Sequence, residues 1–164
     1  MFRKIIFSIT SGLLAGLSST LFLYALSFVT DFRISHPHII WFLPLAGLLI
    51  GWIYQQYGKE VESGNNLIID EIHTPKKNIP LIMAPLIFGG TLLTHLFGGS
   101  AGREGSAVQM GATLSDQLSK YFKLAATERK ALLMCGSGAG FGAAIGTPWA
   151  GFVFGMEFIW NGRL

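Results

Sequence analysis

The sequence predicts an all-α membrane protein, a polytopic helical bundle with broken and re-entrant helices, and three observations predict it. Of the 164 residues, 51% are hydrophobic and only 13% are charged, with a mean hydropathy of +0.50, against roughly 25% charged in an average soluble domain. So little charge hardly solvates a globule of this size, and the excess apolar surface is expected to face lipid. Second, residues 5–30, 34–58, 78–102 and 131–156 carry no Asp, Glu, Lys or Arg. Each stretch exceeds the roughly 20 helical residues that cross a hydrocarbon core of about 30 Å. Third, 21 glycines weaken helices in water but let membrane helices approach backbone to backbone. The same composition excludes disorder, collagen and a disulfide scaffold. Cys135, the single cysteine, has no internal partner and is expected to be a small buried residue.

The elements follow in order. A first helix is expected over residues 5–29, with its basic start, Arg3-Lys4, in the cytoplasm. The run is longer than the roughly 7–15 residues of a signal-peptide core and lacks a clear cleavage site. Residues 31–38, with Pro37, break this helix, and a second runs over 39–57, with Trp41 near one interface and Trp52, Tyr54 and Tyr57 towards the other. A polar stretch, 59–78, encloses Leu67-Ile68-Ile69, too short to span and therefore either a loop or a half-helix buried among other helices. A third helix is expected over 79–97, with Pro80 in its first turn. Residues 98–118 read as a shorter helix that starts after a glycine cluster and carries Arg103 and Glu104 at its beginning. Residues 128–160 fit two helices joined near Gly146-Thr147-Pro148, with Pro148 in the first turn of the second. Gly-xxx-Gly pairs at Gly12/Gly16, Gly47/Gly51, Gly136/Gly140 and Gly151/Gly155 argue for a tightly packed bundle. Lys120, Lys123, Arg129 and Lys130 form a basic run between helices, expected as a cytoplasmic loop rather than a nucleic-acid patch.

Two stretches can carry chemistry. Gly99-Ser100-Ala101-Gly102-Arg103-Glu104-Gly105-Ser106 places a charged pair between glycines at the start of a membrane-embedded helix, where intramembrane charge is functional by default. Unpaired N–H groups and the positive end of the helix dipole make such a start an anion site. A carboxylate can occupy that site itself, and protonating Glu104 would free it for a small anion; the alternative is a plain helix start with Glu in its first turn. Ser63-Gly64-Asn65-Asn66 leads into the short apolar piece and suits a broken half-helix aimed at an anion, with Ser and Asn donors, or simply an N-cap. Gly138 to Ala143 matches a dinucleotide fingerprint without the preceding strand. His36, His38, His73 and His95 form no ligand constellation, so neither a metal nor a cofactor is expected. A membrane-embedded enzyme built on His95, Glu104, Ser106 and Asp116 gives Ser106 no base at a known spacing.

These residues resemble the CLC chloride channels and proton-coupled anion antiporters. Gly102-Arg103-Glu104-Gly105 followed by Val108-Gln109-Met110-Gly111 is similar to that family's Gly-Arg-Glu-Gly-Pro helix start, and residues 132–157, with Thr147-Pro148-Trp149-Ala150-Gly151 and the terminal Glu157, are similar to the two helices that follow it. The resemblance implies one half of a CLC-like inverted repeat, residues 1–164 being the N-terminal half of a transmembrane domain whose members are more than twice as long. It makes Glu104 the external gating glutamate and puts residues 63–68 at the central anion site. Either Gly64 or Ser63 can set the register there. Ser106 replaces the family's proline, and Phe158, beside Glu157, stands where many antiporters carry an intracellular proton-gate glutamate.

The Asn65-Asn66 departure resembles the fluoride/proton antiporter branch. Fluoride is small and strongly hydrated, and Asn amides are better donors for it than Ile or Pro. The resemblance thus implies proton-coupled fluoride export in a bacterial inner membrane, with fluoride or chloride, protons and lipid as partners, a homodimer in the full-length form, no nucleic acid and no enzymatic activity. The alternatives are a chloride channel or chloride/proton antiporter and, from another class, a non-transporting membrane scaffold or inactive truncated product.

Overall fold

Burial along the first helix inverts the pattern of a soluble amphipathic helix. In the computed structural model, which describes residues 2–157, α1 spans Phe2–Ser35 and buries Phe7, Ser11, Ala15, Ser19, Phe22 and Leu26, one residue per turn. Its opposite side exposes Ile9, Leu13, Leu17, Leu21, Tyr24 and Phe28. Three of the six buried side chains, Ser11, Ala15 and Ser19, are small, and the large apolar side chains outside suit lipid, where packing rather than water exclusion holds helices together. A 3₁₀ turn, Pro37–Phe42, leads into α2 (Leu43–Tyr57), followed by α3 (Asn65–His73), α4 (Met83–Leu96), α5 (Arg103–Tyr121), α6 (Ala126–Ile145) and α7 (Pro148–Glu157). Among the described residues all regular structure is helical.

Helix α5 runs antiparallel to α1. Phe7 meets Phe122 with ring centroids 4.9 Å apart, and Ser11 Oγ lies 2.5 Å from Ser115 Oγ. Ser115 gives its own hydrogen to the Gly111 carbonyl at 2.8 Å, so Ser11 is the donor across the interface. Higher up, a Cβ at Gly111 would stand 3.2 Å from that of Ala15. The start of α6 is tied to the start of α1 by Arg3, whose guanidinium reaches Glu128 at 3.0 and 3.1 Å. The chain start, the end of α5 and the start of α6 therefore share one face of the bundle, and the end of α1 and the start of α5 share the other.

Two of the four Gly-xxx-Gly pairs pack inside the bundle. A Cβ at Gly136 would lie 2.5 Å from the Gly111 carbonyl oxygen, one at Gly140 would lie 2.8 Å from the Ala107 carbonyl carbon, and one at Gly138 would lie 2.5 Å from the Gly151 carbonyl oxygen. Around Gly12, Gly16, Gly47 and Gly51 the Cβ positions are open. Gly138 and Gly142, part of the dinucleotide-like string, serve only as contact points for α7 inside α6.

The expected helix ends need correction. α1 continues to Ser35, through Asp31 and Arg33, because hydropathy marks the apolar span and not where hydrogen bonding stops. The third charge-free run yields a helix of only 14 residues, α4, whereas the break expected near Gly146-Thr147-Pro148 is present: α6 ends at Gly146, in the left-handed region at φ 77°, and Pro148 starts α7. Among the described residues two helical segments, Arg3–Ser35 and Pro37–Tyr57 (the 3₁₀ turn continued by α2), are long and apolar enough to cross a membrane. Pro80 precedes α4 instead of starting it, since the Ile79 N–H is held by Asp116 at 2.6 Å. Cys135 is exposed, not buried, because its neighbours Gly136 and Gly138 take the packing faces of α6. The short apolar piece is a true half-helix, α3, with Ile68 and Ile72 in the core beside Phe22, Met83, Met110 and Leu133. At nine residues it is about 13 Å long, too short to span, and one side of it, Ile68, Glu71 and Ile72, is buried in the bundle.

Candidate functional site

Glycine dictates the start of α3. Gly64 is its N-cap at φ 58°, ψ −123°, a conformation that side chains resist, and no side chain caps the helix, so the N-cap alternative for Ser63 and the Asn pair does not hold. The Ser63 carbonyl accepts the Asn66 N–H at 3.1 Å and the Gly64 carbonyl accepts that of Leu67 at 3.2 Å. Ser63 and Asn66 are exposed, whereas Asn65 is half-buried. Its Oδ1 is fully buried and has no partner among the described residues. The Cβ position of Gly64 lies 3.4 Å from Gln109 Oε1, and that of Gly105 lies 3.6 Å from Asn65 Nδ2. Thus the start of α3 rests on the first two turns of α5, and the structure brings Gly64, Asn65 and Gly105 together.

The start of α5 is built differently. Gly102, its N-cap, has no side-chain capping bond, and Ser106 accounts for the nearest hydroxyl. Ser106 is buried, donates to the Gly102 carbonyl at 3.0 Å and therefore accepts from Thr91 Oγ1 at 2.9 Å. Its hydrogen is committed within the protein, so Ser106 fastens α4 to α5 rather than offering a free donor. Arg103 and Glu104 pair with each other at 3.1 Å, their side chains 57% and 41% exposed, and the Glu104 carboxylate also accepts a backbone N–H at the helix start. Both line an open cavity of about 680 Å³ with Asp31 from α1 and His95 from α4. Glu157 is exposed at the end of α7, and Phe158 lies outside the described residues.

Sequence reasoning missed a cluster at the other end of α5. Arg129 belongs not to a solvated loop but to the interior, 8% exposed, between Asp116 at 0% and Glu71 at 6%. Its guanidinium bonds both Asp116 oxygens at 2.6 and 2.9 Å, Glu71 at 2.9 Å and the Lys77 carbonyl at 2.8 Å. The Asp116 carboxylate also accepts from Ile79 N–H and Ser119 Oγ, and Glu71 accepts from the N–H groups of Lys76 and Lys77. This satisfies charge that burial alone would penalise heavily. Asp116 is therefore structural. Ten residues, about 15 Å of helix, separate it from Ser106, which removes the constellation a membrane-embedded enzyme needed. Asp31 was likewise not singled out, because its place beside Glu104 comes from another helix, whereas Gln109 entered only as part of the helix-start motif and His95 only as part of an enzyme constellation.

An all-helical bundle with large apolar residues outside and two helix starts meeting inside is the architecture of a polytopic membrane protein. The chain belongs to the voltage gated chloride channel family, whose model matches residues 46–163. It is 53% identical over 153 residues to a chloride/fluoride channel protein of Pseudomonas syringae pv. tomato, covering 93% of this chain and 34% of that protein. It is 30% identical over 162 residues to the H(+)/Cl(-) exchange transporter ClcA of Salmonella arizonae, covering 89% and 34%. The crystal structure of a CLC-type fluoride/proton antiporter superposes with a TM-score of 0.92 at 39% identity, over 99% of this chain and 41% of the other. The fold is thus that of one half of a CLC-like membrane protein, and the chain spans about a third of the length of the curated relatives it matches.

Proposed function

We propose that this chain is the first half of a proton-coupled anion antiporter that exports fluoride, with Glu104 as its gate. The observation that carries the reading is the meeting of two helix starts, Gly64 against Gln109 and Asn65 against Gly105, with Glu104 in the first turn of α5. The N–H groups of residues 103–105 precede the first intrahelical bond of α5, from Ser106 to Gly102, and with the helix dipole they attract a negative charge. The Glu104 carboxylate competes with the transported anion for that position. Protonation removes its charge, it withdraws, and the anion enters, so each anion passage is tied to a proton on Glu104.

Amide donors favour fluoride, because a small, strongly hydrated ion repays its dehydration only to close, strong donors, and Asn65 and Asn66 stand where the helix start presents them. The names of the relative from Pseudomonas and of the superposed antiporter support the same anion. Arg3, Lys4, Lys120, Lys123 and Lys130 gather on the face that holds the chain start, which supports a cytoplasmic N-terminus in a bacterial inner membrane. Residues 1–164 are read as the N-terminal half of the transmembrane domain; the second half completes the anion path, and the full-length form is a homodimer. Glu157, at the end of α7, belongs to the inner proton route.

The test is flux from liposomes holding the complete transporter that contains this half, loaded with fluoride or chloride at equal concentration. Fluoride should leave with proton uptake at least about tenfold faster than chloride, about 1.4 kcal/mol of discrimination. Faster chloride movement would assign chloride exchange instead, and no flux of either ion would favour a scaffold.

A further inference from the structure

We propose that His95 is the proton-loading group for Glu104: it takes a proton from water at the cavity mouth and hands it to the carboxylate. The proposal rests on the gating role given to Glu104 above.

The cavity of about 680 Å³ at the start of α5 brings titratable groups from separate helices to one wall: Asp31 on α1, His95 on α4, and Arg103 with Glu104 on α5. His95 sits half-buried in the last turn of α4, and its Nδ1 lies 3.0 Å from the Thr91 carbonyl oxygen. A carbonyl only accepts, so Nδ1 carries the hydrogen and Nε2 is left as the basic nitrogen. The same turn of α4 is fixed to the gate helix, because Thr91 donates to Ser106, which donates to Gly102. The imidazole and the gating carboxylate therefore line one cavity as parts of a single fastened unit.

Asp31 and Arg103, the latter paired with Glu104 at 3.1 Å, share the cavity wall with His95, and Arg33 lies nearby, its Cδ 3.6 Å from the Cβ position of Gly98. From α2, Tyr54 lies against Gly90 on the same helix as His95. The step is a plain proton transfer: the imidazolium Nε2–H bond breaks, an O–H bond forms on the Glu104 carboxylate, and neutral imidazole and a neutral carboxylic acid result. Water or buffer then reprotonates Nε2. As a residue type, histidine still holds protons near neutral pH, where carboxylic acids have lost them, so it raises the supply of protons beside a gate that needs one per cycle.

The test uses proteoliposomes of the complete transporter with His95→Ala and, as a second variant that keeps bulk and polarity, His95→Gln. Positioned proton transfer contributes on the order of a hundredfold or more to many reactions. Coupled anion/proton exchange in both variants should fall about tenfold or more at pH 7.5, far less at pH 5.5, and recover when free imidazole is added. A rate and pH profile like those of the unsubstituted protein, or an equal loss at both pH values without recovery by imidazole, would overturn the proposal. Glu104→Gln is measured alongside. If that variant still couples protons to anions, the gating reading itself fails; if it uncouples while His95→Ala behaves as unsubstituted, only the role of His95 fails.

Discussion

The two ends of α5 treat charge in opposite ways. At its start, Glu104 is 41% exposed, and its carboxylate accepts from a backbone N–H of the helix start and from the more exposed Arg103. Near its end, Asp116 is fully buried and receives hydrogen bonds from Arg129, Ile79 and Ser119. One helix thus carries an exposed carboxylate tied within its own first turn and another that is buried and bonded from α6, from the loop before α4 and from its own Ser119. The buried charge fixes α3, α5, α6 and the loop before α4 in place, whereas among the described residues the exposed one makes no bond to another helix.

The bonded end should show the largest effect. Arg129→Ala leaves two buried carboxylates without their cation and should cost about 3–5 kcal/mol, the usual consequence of breaking a buried pair, read as a lower midpoint of denaturation in detergent. Arg129→Lys should recover only part of this, since a single ammonium cannot reproduce a fork bonded to Asp116, Glu71 and Lys77. An intermediate effect is expected at the start of α3. Gly64→Ala forces a side chain into φ 58°, about 1–3 kcal/mol of backbone strain, and should weaken fluoride binding in calorimetry while the far-ultraviolet circular dichroism stays that of the unsubstituted protein. The smallest effect belongs to the exposed end. Arg103→Ala removes an exposed pair and should change stability by no more than about 1 kcal/mol, again measured by denaturation; a loss as large as that of Arg129→Ala would erase the contrast.

Much of the architecture was legible because it depends on local chemistry. Gly146-Thr147-Pro148 stops one helix and starts the next wherever it occurs, and the charge-free runs locate the apolar spans. The glycines around Glu104 marked the start of α5 correctly. What stayed hidden depends on partners distant in sequence. Arg129 reads as one more cation in a basic run, and only the fold brings it to Glu71, 58 residues away. Cys135 reads as a small apolar residue, yet the packing of Gly136 and Gly138 turns it outward. Ser106 reads as a donor beside the gate, yet Gly102 and Thr91 engage its hydroxyl. The reverse holds at Asn65, whose type pointed to the site and whose place against Gly105 supports it.

The central claim is that the exposed carboxylate at the start of α5 couples anion to proton. It is tested most directly by Glu104→Gln in the complete transporter, with fluoride efflux and proton uptake recorded from the same liposomes. Glutamine keeps the shape and cannot cycle between charged and neutral forms, so proton uptake should vanish and any fluoride movement that remains should be indifferent to a pH gradient. Unchanged coupling between fluoride and protons in that variant would contradict the account.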